Sequence, residues 1–206
     1  MTHVTTPSTF DSTQTKAVGA NGQFGLIILG NTGVGKSFLA NILLEREVFA
    51  QGSSSSSITH TTEYRETDLL DKSYAIFDIP GLIEVEQQRI DQNKQEIDKA
   101  FAQRPNSIVI YVFHPQAGRI KEEDITALYA INAAYSFKPQ SLILVMNCLS
   151  KNRPLYYEGT TLVLLQQLLR GIQITSRNLC FLEEIDGKAN ERQFLKEQLL
   201  EVNTSI

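Results

Sequence analysis

Residues 30–37 of this sequence, GNTGVGKS, have the residue types and the spacing of a phosphate-binding loop, because they match the pattern GxxxxGK[ST]. In such a loop, successive backbone N–H groups and the N-terminus of the following helix hold phosphate oxygens. The Lys36 ammonium would lie near the β- and γ-phosphates, and the Ser37 hydroxyl would be a ligand of Mg²⁺. The octapeptide therefore predicts a site for a nucleotide and Mg²⁺.

A second motif, DIPG at residues 78–81, follows an apolar segment. By itself this tetrapeptide is typical of a β-turn. Together with the phosphate-binding loop it gains a chemical meaning, because Asp78 could orient Mg²⁺ or its water and the Gly81 N–H could reach a γ-phosphate. A backbone that contacts the γ-phosphate changes position when this phosphate is lost. The pair of motifs is typical of a GTPase-like switch.

The polar segment between the two motifs, residues 53–62, contains the hydroxyl groups of Thr59, Thr61 and Thr62. It is long enough to fold over a nucleotide. We favour Thr59 as a second ligand of Mg²⁺ and as a catalytic residue beside Lys36. The alternative is a solvated serine-rich loop whose hydroxyls have no function, since the segment is of low complexity.

The elements that must position these residues follow from hydrophobic patterning. A nearly continuous apolar strand precedes the phosphate-binding loop, and a helix begins directly after it. The predicted strands are 24–29, 62–69, 74–78, 107–113, 141–146 and 179–182, and the predicted helices are 37–44, 86–101, 122–135, 161–170 and a last one from about 190. This order favours an α/β fold, the three-layer P-loop NTPase of the small-GTPase type, with a mixed, mostly parallel sheet and helices on both faces.

Composition limits the class of protein. The 206 residues include 19 basic and 23 acidic side chains, and the net charge of −4 argues against a nucleic-acid partner. No apolar run approaches the roughly 20 residues of a membrane helix. We expect a disordered tail over residues 1–22 and a single domain over 23–206. The two cysteines, Cys148 and Cys180, are typical of free thiols in a reducing compartment, which predicts a cytoplasmic protein.

Four stretches resemble a known family, the GTPases of immunity-associated proteins (GIMAPs), in the wider group with plastid import-receptor GTPases. They are residues 30–41, which resemble the family's phosphate-binding loop and first helix; 57–62, its switch-I element; 78–82, its Asp-Thr-Pro-Gly-Leu; and 118–124, the box between its third and fourth GTPase motifs. The resemblance covers about residues 24–202. From residue 147 onward it depends on the order of elements. It implies a GTPase domain that takes GTP or GDP with Mg²⁺.

The residue after the second motif is Leu82, where many GTPases have a glutamine that orients the attacking water. We therefore expect slow hydrolysis. GIMAP-like proteins share this apolar residue, and the resemblance implies that hydrolysis depends on a homodimer or oligomer across the nucleotide face, or on a separate activator. Within such an assembly His60 and Arg119 are candidate contributors, and the alternative for each is an ordinary surface residue.

The nucleobase motif departs from the family. GTPases of this class end the strand before the fourth helix with an Asn/Thr-Lys-x-Asp motif whose carboxylate binds guanine, whereas residues 147–150 are NCLS. Asn147 can still contact a base, but Ser150 replaces the carboxylate by a hydroxyl that discriminates guanine less well. The alternatives are a catalytically weak pseudo-GTPase scaffold and a P-loop ATPase with relaxed base specificity. The nucleotide-binding candidates are Asn31, Thr32, Gly33, Val34, Gly35, Lys36, Ser37, Phe38, Gly81 and Asn147, and the metal candidates are Ser37, Thr59 and Asp78.

Overall fold

The fold is a six-stranded sheet with the strand order β2-β3-β1-β4-β5-β6. The computed structural model describes residues 24–49, 63–69, 72–82, 87–185, 190–194 and 196–197. Neighbouring strands are parallel except for the antiparallel pair β2–β3. The elements are β1 (Phe24–Leu29), α1 (Lys36–Leu44), β2 (Glu63–Leu69), β3 (Lys72–Asp78), α2 (Gln87–Gln103), β4 (Ser107–Phe113), α3 (Glu122–Tyr135), β5 (Leu142–Leu149), α4 (Tyr157–Leu168) and β6 (Leu179–Glu183). Residues 190–194 and 196–197 are also helical.

Apolar layers cover both faces of the sheet, because the central strands are apolar on both sides. In β1, Ile27 and Leu29 belong to one core cluster, whereas Leu26 and Ile28 belong to the other. The first cluster includes side chains from α2, α3 and α4, and the second includes those of α1. Full burial of such a side chain contributes about 1.5–3 kcal/mol. The predicted three-layer fold of the small-GTPase type is therefore confirmed.

Several predicted element boundaries differ from the structure by one or two residues, and those of two elements differ by more. The strand predicted to end at residue 146 extends to Leu149, with an irregularity in its pairing with β6 between Met146 and Leu149. The helix predicted over 161–170 is α4, which begins at Tyr157 and ends at Leu168. Its first turn was missed because Gly159 and Thr160 are weak helix formers. Gly171, which directly follows the predicted helix, lies in the turn after α4 with a φ of +93°.

The topology brings the predicted site residues to one edge of the sheet. Because β1, β3, β4, β5 and β6 run parallel, their carboxyl ends lie at the same edge. In an open α/β sheet this edge is the usual place of ligand binding. The loops after β1 and β3 carry the two phosphate motifs, and the end of β5 carries Asn147.

Two stretches for which the sequence makes predictions lie outside the described residues. They are the predicted tail over residues 1–22 and the segment that contains Thr59 and His60. Both cysteines are free thiols, Cys180 buried and Cys148 half-buried. Within the described ranges, none of the helices combines the length and the apolar character that crossing a membrane requires.

Candidate nucleotide-binding site

The phosphate-binding loop, residues 30–37, has a backbone shape that only glycine can adopt at two positions. Gly30 has a φ of +143° and Gly35 a φ of +96°. A Cβ atom at Gly30 would lie 2.6 Å from the carbonyl oxygen of Val112, and one at Gly35 would lie 2.4 Å from Asn147 Nδ2. Gly35 is also the N-cap of α1. The N-terminus of α1, where the helix dipole favours an anion, therefore opens directly from the loop.

Lys36 is the cationic group of the loop, and it is almost completely buried. Its side chain is 7% exposed, and its ammonium donates a hydrogen bond of 3.1 Å to the main-chain oxygen of Asn31. Burial lowers the pKa of Lys36 to about 8, and the negative charge of Asp78 opposes this decrease. A phosphate group beside the ammonium would raise this pKa again, because an opposite charge favours the protonated form.

Ser37 and Asp78 connect the two motifs. The Ser37 hydroxyl donates a hydrogen bond of 2.6 Å to Asp78 Oδ2, and Asp78 is 1% exposed at the end of β3. A hydroxyl and a carboxylate oxygen this close together suit a hard cation such as Mg²⁺. No cluster of three or more His, Cys, Asp or Glu side chains that could hold a metal occurs in the described part of the chain. Mg²⁺ at this pair would therefore take its other ligands from phosphate and water, as it usually does.

Gly81 lies directly against the phosphate-binding loop. A Cβ atom there would lie 2.0 Å from Thr32 Oγ1 and 2.7 Å from the Thr32 nitrogen. The Gly81 carbonyl accepts a hydrogen bond of 2.6 Å from the side chain of Asn93 in α2, and the Leu82 N–H donates to the oxygen of Gly30 at 3.3 Å. Leu82 is half-buried and packs against the core. The second motif is thus held against the first from both sides.

Asn147 has a contact that sequence reasoning missed. Its side-chain amide is buried, and Nδ2 donates a hydrogen bond of 2.9 Å to the main-chain oxygen of Val34. Asn147 therefore supports the phosphate-binding loop from β5. The two residues are 113 positions apart, and no local pattern marks this contact. Val34 is buried. Phe38 is half-buried and packs against the core cluster that includes the side chains of α1.

Ser150, which follows β5 at the position where the sequence comparison expected a carboxylate, lies close to Glu184. Ser150 is exposed, and its hydroxyl accepts a hydrogen bond of 3.2 Å from the Asn152 N–H, as in a tight turn. Glu184 follows β6, and its N–H donates to the Leu149 oxygen at 2.9 Å. Burial raises the pKa of the Cys148 thiol, and the negative charge of Glu184 raises it further. The Glu184 backbone is therefore held beside the end of β5, the strand that carries Asn147.

The family-specific box of residues 118–124 covers the end of the connection between β4 and α3 and the first turn of α3. Gln116 and Arg119 exchange two backbone hydrogen bonds of 2.9 Å, which close a tight turn. Arg119 is exposed on this turn. At the other end of the box Asp124 is buried and accepts a hydrogen bond from the side chain of Asn31. Sequence reasoning placed Asp124 in a helix start and missed its contact with the phosphate-binding loop.

The fold and the arrangement of these loops define a P-loop protein with the fold of a small GTPase. The sequence model of the AIG1 family matches residues 24–202. The chain therefore belongs to the AIG1 family, which confirms its predicted relationship with immunity-associated and plastid import-receptor GTPases.

Several solved structures are similar to this chain. Toc33 from Arabidopsis thaliana, in complex with Mg²⁺ and GMPPNP, aligns with 20% identity and a TM-score of 0.59, covering 88% of this chain and 85% of that chain. A structure of the chloroplast translocon components atToc33 and psToc159, for whose GTPase activity dimerization is important, aligns with 17% identity and a TM-score of 0.63, over 88% and 82%. Era, in complex with MgGDPNP and 16S ribosomal RNA, aligns with 16% identity and a TM-score of 0.59, over 86% and 57%. These similarities show the fold.

Proposed function

We propose that this chain is a Mg²⁺-dependent guanine-nucleotide switch that hydrolyses GTP slowly and associates with a second copy when nucleotide is bound. The observation that carries the proposal is the contact between the two motifs. Ser37 donates to Asp78 at 2.6 Å, and Gly81 lies against the backbone of Thr32. A γ-phosphate held by the first motif would therefore be within reach of the second, which is the requirement of a switch.

Different residues of the site would bind the phosphates and Mg²⁺. The backbone N–H groups of the phosphate-binding loop and the N-terminus of α1 would hold phosphate oxygens, and Lys36 would add its charge at the β- and γ-phosphates. Ser37 and Asp78, with Thr59 as a further candidate, would hold Mg²⁺, which neutralises charge on the β- and γ-phosphates. The Gly81 N–H would donate to the γ-phosphate, and its loss would free the 79–82 segment.

Slow hydrolysis follows from the residue after Gly81. Leu82 has no polar side-chain atom to orient a water, and it packs against the core. Lys36 and Thr59 are the catalytic candidates within one copy. The remaining catalytic groups for hydrolysis would come from a second copy that binds at the nucleotide face. Arg119 is exposed and is a candidate for such a group. The importance of dimerization for the GTPase activity of Toc33 and Toc159 supports this proposal.

Guanine preference is supported by the family and by the Toc33 complexes with GDP and with GMPPNP. At the nucleobase, Asn147 and Glu184 are the candidates of this chain. A carboxylate can accept two hydrogen bonds from guanine. Glu184, which follows β6 at this edge of the sheet, has a carboxylate, whereas Ser150 has only a hydroxyl. Glu184→Gln should reduce the preference for GTP over ATP by about tenfold. Glu122→Gln is the matched control, since it changes another exposed carboxylate, in the first turn of α3.

The first test of the function is the affinity for GTP, GDP and ATP with Mg²⁺, measured by calorimetry on the full chain. We expect the guanine nucleotides to bind more tightly than ATP by about tenfold or more, which is about 1.4 kcal/mol. Equal or tighter binding of ATP would contradict the guanine proposal and favour a P-loop ATPase with relaxed base specificity.

The second test measures phosphate release as a function of protein concentration. Because the second copy supplies catalytic groups, the rate per molecule should rise as the concentration rises. Stoichiometric nucleotide binding with no phosphate release at any concentration would instead identify a pseudo-GTPase scaffold. Lys36→Ala, which removes the charge that faces the phosphates, should abolish both binding and release.

A further inference from the structure

The box of residues 118–124 contacts the phosphate-binding loop through one buried side chain. Asp124 lies in the first turn of α3 and is 1% exposed. Its Oδ1 atom accepts a hydrogen bond from Nδ2 of Asn31, the second residue of the loop, although the two residues are 93 positions apart. The function proposed above gives this contact no role, since Asp124 is neither a phosphate nor a metal candidate.

The contact continues from Asn31 to the catalytic candidate of the loop. The main-chain oxygen of Asn31 accepts the hydrogen bond of 3.1 Å from the Lys36 ammonium. Asp124 holds the side chain of Asn31, and the main-chain carbonyl of Asn31 holds the Lys36 ammonium. A rotation of the Asn31 peptide would therefore move the acceptor that orients the ammonium.

Asp124 is itself fixed by the sheet. The hydroxyl of Tyr111, a fully buried residue of β4, donates a hydrogen bond of 2.8 Å to the main-chain oxygen of Asp124. The N–H of Asp124 donates to the oxygen of Lys121 at 3.2 Å. The carboxylate is therefore supported by rigid elements, as a group that positions a binding loop must be.

The position of this carboxylate is unfavourable for stability. Among the described residues, Asp124 Oδ2 and Asn31 Oδ1 are buried side-chain atoms without a hydrogen-bond partner. Burial raises the pKa of Asp124 above its ordinary value, and the Asn31 hydrogen bond opposes this increase. A buried carboxylate with incomplete hydrogen bonding costs stability, and such costs are concentrated at functional sites.

We propose that Asp124 is a positioning residue for the phosphate-binding loop, which fixes the Asn31 side chain and thereby holds the carbonyl that orients Lys36. The inference rests on the proposed nucleotide-binding function and deepens it, because it makes the box that carries Arg119 part of the phosphate site. Asp124 acts by fixing the geometry of the phosphate-binding loop. An asparagine at position 124 keeps a carbonyl oxygen that can accept the same hydrogen bond.

The test measures the affinity of the full chain for GDP and for inorganic tripolyphosphate, both with Mg²⁺, together with the thermal unfolding midpoint. Asp124→Ala should weaken both ligands by about tenfold, because it removes the acceptor, and the unfolding midpoint shows whether the variant is folded at the temperature of the measurement. Asp124→Asn should bind both ligands within about threefold of the unchanged protein. Glu122→Ala, which removes an exposed carboxylate of the same helical turn, is the matched control and should change neither affinity.

A second variant keeps the test decisive if Asp124→Ala does not fold. Asn31→Ala removes the same hydrogen bond from the loop side and retains the main-chain carbonyl. It should weaken both ligands to the same extent as Asp124→Ala, and the double variant should bind no more weakly than either single variant, because both remove one interaction.

Three results would overturn the positioning role: unchanged affinity in Asp124→Ala and Asn31→Ala, equal losses in Asp124→Asn and Asp124→Ala, or additive losses in the double variant. Failure of the guanine proposal is distinguishable from these results. If the protein without substitutions binds tripolyphosphate and ATP and does not prefer GDP, guanine specificity alone is overturned. The tripolyphosphate affinities of the variants would still report on the role of Asp124. An unchanged protein that binds none of these phosphates would overturn both proposals.

Discussion

Gly81→Ala is the substitution that tests most directly whether the two motifs must be in contact. The added Cβ would lie 2.7 Å from the nitrogen and 2.9 Å from the Cα of Thr32, whereas ordinary contact begins at 3.4 Å. Both atoms belong to the backbone, so a side-chain rotation cannot relieve the clash. The 79–82 segment must move away from the Thr32 nitrogen by about 0.7 Å (3.4 − 2.7) to restore ordinary contact, against the hydrogen bond from Asn93 to the Gly81 oxygen.

The expected losses follow from this displacement. Overpacking of this kind costs about 1–3 kcal/mol in the free energy of unfolding. A displaced Gly81 N–H would also lose its hydrogen bond to the γ-phosphate, and a hydrogen bond to a charged group contributes about 1.5–3 kcal/mol. The affinity for GMPPNP should therefore fall by about tenfold to hundredfold more than the affinity for GDP.

Calorimetry with GMPPNP and GDP, combined with chemical denaturation, separates the two effects. Gly159→Ala is the matched control, because it adds the same methyl group to α4 where no atom lies within 4 Å. This control should gain about 0.5–1 kcal/mol in the free energy of unfolding and bind both nucleotides normally. Equal losses for GMPPNP and GDP in Gly81→Ala would refute the reasoning, since they would show that Gly81 does not distinguish the triphosphate.

Two further predictions concern the charge of the site. Burial lowers the pKa of Lys36 from 10.5 to about 8, so between these pH values the unfolded chain binds more protons than the folded one. In denaturation experiments without nucleotide, the free energy of unfolding should therefore rise across this range relative to Lys36→Met, and a constant difference between the two proteins would contradict the prediction. Ser150→Asp introduces a carboxylate at the proposed base-binding side of the site and should increase the preference for GTP over ATP by about tenfold in calorimetry, with Ser150→Asn as the uncharged control. An unchanged preference in Ser150→Asp would show that the base does not lie beside position 150.

The fold could be predicted from the sequence because its signals are local. The strand, loop and helix at residues 24–44 form one continuous pattern, and the apolar strands β4 and β5 are typical of a sheet that is buried on both faces. The end of β5 was missed because Asn147 and Cys148 interrupt the apolar run. Cys148 also has a φ of +56°, which coincides with the irregular pairing to β6. A strand that continues beyond such an irregularity has no signature in hydrophobic periodicity.

The candidate site could be predicted only in part, for a related reason. The residues that would touch phosphate are adjacent in sequence, and their types follow from the chemistry of an anion and a hard cation. The residues that hold them are far apart in the chain. Asn147 contacts Val34 across 113 positions and Asp124 contacts Asn31 across 93, and an asparagine or aspartate at the end of an element is also typical of caps and turns. Their contacts require the folded chain.

Side-chain contacts from three elements support the two motifs: the Asn147 amide from β5, the Asn93 amide from α2 and the Asp124 carboxylate from α3. The last of these has a consequence for self-association, because the box that ends with Asp124 also carries the exposed Arg119. If a second copy binds at the Arg119 turn and thereby shifts Asp124, phosphate affinity must change. By linkage, phosphate binding must then change the affinity between copies by the same factor. The nucleotide dependence of association would in this way originate at the phosphate-binding loop itself, in addition to any contribution of the segment that contains Thr59.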